Sequence, residues 1–80
     1  MRAYIHLETK PGTVIKVINR MKENKNVTSA DAVYGRFDAI LTIDVPGLSD
    51  IDQLVYTVVQ SDPNVIRTET SIVLDLKQPK

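Results

Sequence analysis

One pattern occurs twice along this chain, and it limits the possible folds more than any other feature. Each half runs strand, Pro-Gly, helix, a turn ending in Asn-Val, and strand again. The paired landmarks are Pro11-Gly12 with Pro46-Gly47, and Asn26-Val27 with Asn64-Val65. From the first helical apolar residue to that valine is 13 residues in one half (Val14 to Val27) and 14 in the other (Ile51 to Val65). Two such units in tandem give the order β-α-β-β-α-β, the split βαβ arrangement. Right-handed crossovers then place both helices on one face of a four-stranded antiparallel sheet. The expected class is α+β, ferredoxin-like.

The helices are read from their apolar spacing. Val14, Ile15, Val17, Ile18 and Met21 form one stripe, and Ile51, Leu54, Val55, Val58 and Val59 form another. Each matches one buried face of an amphipathic helix. Thr13 is the expected N-cap of the first helix. Ser49 with Asp52 reads as a capping-box variant opening the second. Val58 and Val59 have weak helix propensity, so packing must hold that end.

Four segments alternate like strands. Ala3 to Glu8 sets Ala3, Ile5 and Leu7 against Tyr4, His6 and Glu8. Val27 to Tyr34 changes phase between Val27 and Ala30, which predicts a bulge or irregular start. Phe37 to Val45 puts Phe37, Ala39, Leu41, Ile43 and Val45 on one face. Val65 to Leu76 puts Ile66, Thr68, Thr70, Ile72, Leu74 and Leu76 on one face. Between Tyr34 and Phe37 only Gly35-Arg36 remains, the signal of a two-residue type II′ hairpin. One domain over residues 1–76 is expected, with Lys77 to Lys80 as a loose tail.

Size matters next. A domain of 80 residues has a marginal core, and no cysteine is present to add a disulfide or a zinc site. Burying surface against a second chain is the remaining route to stability. The sheet face without helices would carry Tyr4, His6, Ile40 and Thr42, and the last strand adds a nearly unbroken apolar and threonine row. Solvated faces are usually richer in Lys and Glu, so another copy of the chain is expected to cover this surface.

Charge excludes further classes. Ten basic and ten acidic residues balance to zero, whereas nucleic-acid binders usually carry a basic excess. No apolar run is long enough to span a bilayer, and no signal-peptide pattern follows Met1-Arg2. A cytoplasmic protein with neither nucleic-acid nor membrane partner is expected. His6, the single histidine, lacks a nucleophile or further metal ligands at recognisable spacing. It reads as a surface or interface residue. The aspartates Asp38, Asp44, Asp50, Asp52 and Asp62 are scattered over hairpin, strand end, helix start and turn, and form no acid/base pair. No metal or cofactor is expected.

Tyr34-Gly35-Arg36-Phe37-Asp38 is the most unusual local feature. Gly35 permits positive φ and leaves backbone N–H groups open to an anion. Exposed amides could hold a carboxylate while Asp38 holds an ammonium, which together grip a free amino acid. The plainer reading is a hairpin with Tyr34 and Phe37 packed across it.

These segments resemble the effector-binding RAM domain of the Lrp/AsnC family of feast/famine regulators. The resemblance runs from about Ala3 to Leu76. It rests on Val33-Tyr34-Gly35-Arg36-Phe37-Asp38-Ala39-Ile40-Leu41 and on Pro63 to Leu74, supported by the Asp50 to Gln60 helix. It implies a homodimer, a dimeric α/β sandwich with sheets face to face, that assembles into an octamer or similar ring. A small effector, commonly an amino acid, would bind between dimers. By resemblance, Tyr34, Gly35, Arg36, Phe37 and Asp38 line the site, with Thr68, Thr70, Ser71 and Ile72 near it. A binding module rather than an enzyme is implied.

Full-length members carry a helix-turn-helix domain before this one, and the first strand here begins at about Ala3. A stand-alone RAM protein is therefore expected, acting on transcription indirectly, for example by co-assembly with full-length Lrp/AsnC regulators. Two other departures are Asn64 where the family often has Gly, and Arg36 where it often has an acid. Alternatives are an ACT-type sensor or assembly domain using the loop at Gly12, and a small dimeric ferredoxin-like monooxygenase or isomerase using His6 or Tyr4.

Overall fold

The computed structural model describes residues 1–76, so the expected tail Lys77 to Lys80 lies outside the described residues. The elements follow the expected order: β1 (Arg2–Thr9), α1 (Val14–Met21), β2 (Val27–Ala32), β3 (Ala39–Asp44), α2 (Leu48–Leu54) and β4 (Val65–Ile72). They form one antiparallel sheet in the order β2-β3-β1-β4. The α+β, ferredoxin-like reading therefore holds.

Alternation sets the two faces. Ala3, Ile5 and Leu7 of β1 lie opposite Ile43, Leu41 and Ala39 of β3. All six are fully buried and pack with Val17, Ile18 and Met21 of α1 and Ile51 and Leu54 of α2. Both helices thus cover one face. The other face carries Tyr4 opposite Thr42 and His6 opposite Ile40, as the alternation requires. The phase change in β2 is a register shift between Val27 and Ser29.

The helix starts differ from the sequence reading. Thr13 precedes α1, but its hydroxyl donates to the Lys10 carbonyl at 2.7 Å and caps nothing. Gly47, not Ser49, is the N-cap of α2. The Asp50 carboxylate accepts the Gly47 N–H at 3.0 Å, the role that spacing had given to Asp52. Pro46 sets the break two residues earlier than the Ser-x-x-Asp pattern suggests.

Beyond Leu54 the helix widens into a π-helical stretch, Val55–Val59. The Gln60 N–H donates to the Val55 carbonyl at 2.8 Å, five residues back. The buried positions follow this wider spacing, passing from Leu54 to Val59 while Val58 stays half-buried. A run of β-branched residues winds poorly as α-helix, and the wider turn lets Val59 reach the core.

Two more expectations are corrected. The β2–β3 connection is not a two-residue type II′ hairpin. The strands end at Ala32 and resume at Ala39, and the loop closes through Val33 N–H to the Asp38 carbonyl at 2.9 Å. The apolar and threonine row of β4 is not on the helix-free face. Thr68, Thr70 and Ile72 lie opposite Leu7, Ile5 and Ala3, so they point to the helix side. The helix-free face receives Arg67, Glu69 and Ser71, opposite Glu8, His6 and Tyr4. The row is only partly covered because β4 is an edge strand: Gln60 reaches Thr68, but Thr70 is exposed and Ile72 is 41% exposed.

Candidate ligand-binding site

The loop from Val33 to Asp38 has a free half and an anchored half. Tyr34 is fully exposed, Gly35 and Arg36 are exposed, and Gly35 has φ +155°, a conformation other residues rarely adopt. A Cβ built at Gly35 would meet nothing within 4 Å, so the backbone there is open to approach. Arg36 takes no part in the ion pairs among the described residues.

Asp38 anchors the other half. Its N–H donates to the Leu7 carbonyl at 2.8 Å. Its Oδ2 accepts the Thr9 N–H at 2.9 Å and stands 3.4 Å from the Thr9 hydroxyl. One carboxylate oxygen is thus committed to the end of β1. The side chain is half-buried, and Oδ1 takes no protein hydrogen bond among the described residues.

Phe37 does not pack against Tyr34, which is fully exposed. It folds onto the helix-free face and is 8% exposed. Its ring lies 5.3 Å from that of His6, tilted by 47°. The Arg67 guanidinium sits 4.9 Å from its centroid. Arg67 also pairs with Glu8 at 3.3 Å, and His6 Nδ1–H faces the Glu69 carbonyl at 3.2 Å. Sequence reading missed this cluster, because Phe37 shares the parity of Ala39 and Leu41 and only the loop's irregular path turns it to the other face.

The last-strand candidates divide. Thr68 lies at the level of the loop, opposite Leu7, but on the helix side, where it accepts a hydrogen bond from Gln60 Nε2 at 3.2 Å. Thr70 and Ile72 line a groove of about 600 Å³ between β4 and α2 with its π-helical extension. Leu48, Tyr56 and Gln60 also line it, and the size suits a small-molecule site. Ser71 shares the helix-free face with Tyr4. Ile72 pairs with Ala3, four positions along β1 from Leu7, or about 13 Å at the usual strand rise. A single chain therefore brings Phe37 and Asp38 together with β1, and does not bring the loop to Thr70 or Ile72. Tyr56 and Gln60 fall outside the apolar stripe of the second helix, and no sequence signal sets them apart from its other solvent-facing positions.

Among the described residues, no three His, Asp or Glu side chains cluster as a metal site, and no helix is long and apolar enough to cross a membrane. A βαββαβ sheet with an open-backed loop and a half-apolar groove defines a small ligand-binding domain. The chain belongs to the Lrp/AsnC ligand binding domain family, whose model matches residues 2–80. It is similar to FFRP-DM1, at 27% identity over 91% of this chain and 97% of that one, with a TM-score of 0.87. It is equally similar to hypothetical protein PHS023 from Pyrococcus horikoshii, at 27% identity over 92% of this chain and 90% of that one, with a TM-score of 0.86. The fold also matches the transcriptional regulator NMB0573 from Neisseria meningitidis, solved as a complex with L-Met, at 16% identity and a TM-score of 0.80. That match covers 96% of this chain but 52% of the regulator. No curated protein matches the chain.

Proposed function

We propose that this domain senses a free amino acid, and that the ligand is enclosed only when copies of the chain meet. The observation that carries this reading is the division of the candidate residues. The loop offers open backbone donors and a free Asp38 oxygen, and the groove offers Thr70, Gln60 and an apolar wall. Each is half of a site, and the two lie apart on one chain. Contact between the loop of one copy and the groove of another would supply both halves. An α-carboxylate would meet the amides around Gly35, an α-ammonium would meet Asp38, and an apolar side chain would rest on Ile72 and Tyr56. The family, and a fold neighbour solved with L-methionine, support an amino acid as the ligand.

Copies would pair first through the helix-free face, where Tyr4, His6, Ile40 and Thr42 are only partly exposed or apolar. Dimers built this way would join into an octamer or similar ring, and ligand bound between dimers would shift the assembly by mass action. Transcription would be modulated indirectly, by co-assembly with full-length regulators of the family. The test is calorimetry of the protein against the proteinogenic amino acids, L-methionine first. Asp38→Ala is expected to abolish the heat of binding, and Gly12→Val to leave it. The reverse pattern would move the site to the β1–α1 turn, as in an ACT-type sensor, and an absence of heat across the panel would remove the amino-acid claim.

A further inference from the structure

The ligand loop and the helix-free face meet at one side chain. We propose that Phe37 is a clasp that couples the conformation of the Tyr34–Arg36 loop tip to the helix-free sheet face. Ligand at the loop and association through that face would then be linked through this ring. The linkage to ligand rests on the function proposed above; the clasp itself does not.

Three observations carry it. First, Phe37 is buried, yet it is not part of the helix-side core that holds its neighbours Ala39 and Leu41. Its burial comes from the other face, so the ring is a piece of loop lying on the sheet. Second, what covers it belongs to that face and to two strands. His6 is on β1, and Arg67 on β4 reaches the ring while holding Glu8 of β1. The ring thus ties the loop to the edge strand across β1. Third, the residue after it is fixed. Asp38 is held by Leu7 and Thr9, while Tyr34, Gly35 and Arg36 touch solvent.

A displacement of the tip cannot dissipate beyond Asp38. On that side of the loop it falls on Phe37, whose ring rests against His6 and Arg67. The contacts are of the weak kind, a tilted ring pair, a cation over an aromatic face and a half-exposed ion pair. Weak contacts suit a switch, because ligand needs only modest differential binding to redistribute them. A tightly packed core phenylalanine would resist.

The protein supplies its own reporters. His6 is the only histidine, so its ring proton gives one resolved resonance that reads the sheet face. A fluorinated tyrosine at position 34 reads the loop. Gly35→Ala, which forces the tip out of its positive φ, is expected to shift the His6 resonance at fixed pH in ligand-free protein. The shift is expected to vanish when Gly35→Ala is made on top of Phe37→Leu. In the other direction, Arg67→Gln is expected to shift the Tyr34 fluorine signal, and Glu69→Gln on the same face to leave it. Arg67→Gln keeps the test alive if Phe37→Leu does not fold, since Arg67 is half-exposed.

The self-association constant is expected to change about fivefold with Gly35→Ala and not in the double variant. A His6 shift that survives Phe37→Leu, or a Tyr34 signal blind to Arg67→Gln, would overturn the clasp. L-methionine is then titrated into the unmodified protein. Failure to bind would count against the amino-acid reading and leave the clasp standing on its ligand-free results.

Discussion

Two aspartates do most of the local organising. Asp38 carries the backbone N–H and, more distantly, the hydroxyl of Thr9, a residue only 6% exposed. Removing the carboxylate leaves that N–H without its acceptor. Asp38→Ala is expected to lower stability by about 1–3 kcal/mol, read from the urea midpoint, and Asp38→Asn by less because an acceptor oxygen remains. An unchanged midpoint would mean that Asp38 does not hold the loop. Asp62 is 3% exposed, accepts the Asn64 N–H at 2.9 Å and pairs with Arg20 at 3.3 Å. The hydrogen bond and the ion pair are not equal. Arg20 is half-exposed, so Arg20→Gln should cost no more than about 1 kcal/mol and lose its effect in high salt. Asp62→Ala removes both and should cost roughly 1–3 kcal/mol. Comparing the two variants by thermal unfolding separates the turn from the ion pair.

At the scale of elements, the structure fixes which cap works. Asp50→Ala is expected to destabilise the protein by about 0.5–2 kcal/mol, whereas Ser49→Ala and Asp52→Ala, both on exposed residues, should stay within about 0.5 kcal/mol. Equal losses at Asp50 and Asp52 in denaturant titrations would restore the sequence-based capping box. This contrast shows where sequence legibility ends. The order of elements, the apolar stripes and the bulge in β2 were readable, because each is a local period or a break in one. The β2–β3 loop was not. Gly35-Arg36 fits a two-residue turn by composition, but Asp38 bonds to Leu7 and Thr9 of another strand, and those long-range bonds stretch the loop from Val33 to Asp38. The face of β4 was ambiguous for the same reason: alternation separates two rows, and only pairing with β1 tells which row faces the helices. The loop was therefore legible as a break between two strands, while the placement of Phe37 and of the groove beside Tyr56 needed the fold.

For the whole molecule, the central question is what covers its two bare surfaces. The buried residues on the helix side form one cluster, and neither bare surface contributes to it. The helix-free face presents half-buried Ile40 and Thr42 at its centre beside Tyr4 and His6. A long charged side chain there should block face-to-face pairing without touching the core. Thr42→Lys is expected to yield a lone chain by light scattering with an unchanged circular dichroism spectrum. The β4 groove, by contrast, is expected to matter only for the larger assembly and for ligand. Tyr56→Ala, far exposed on the π-helical stretch, should spare the proposed dimer and weaken the proposed ligand binding.

Sedimentation equilibrium of the purified protein at micromolar concentration, alone and with each amino acid in turn, tests the account at its root. A mass that is a multiple of the single chain, redistributed by at least one amino acid, is the predicted result. A single-chain mass that no amino acid alters would contradict it.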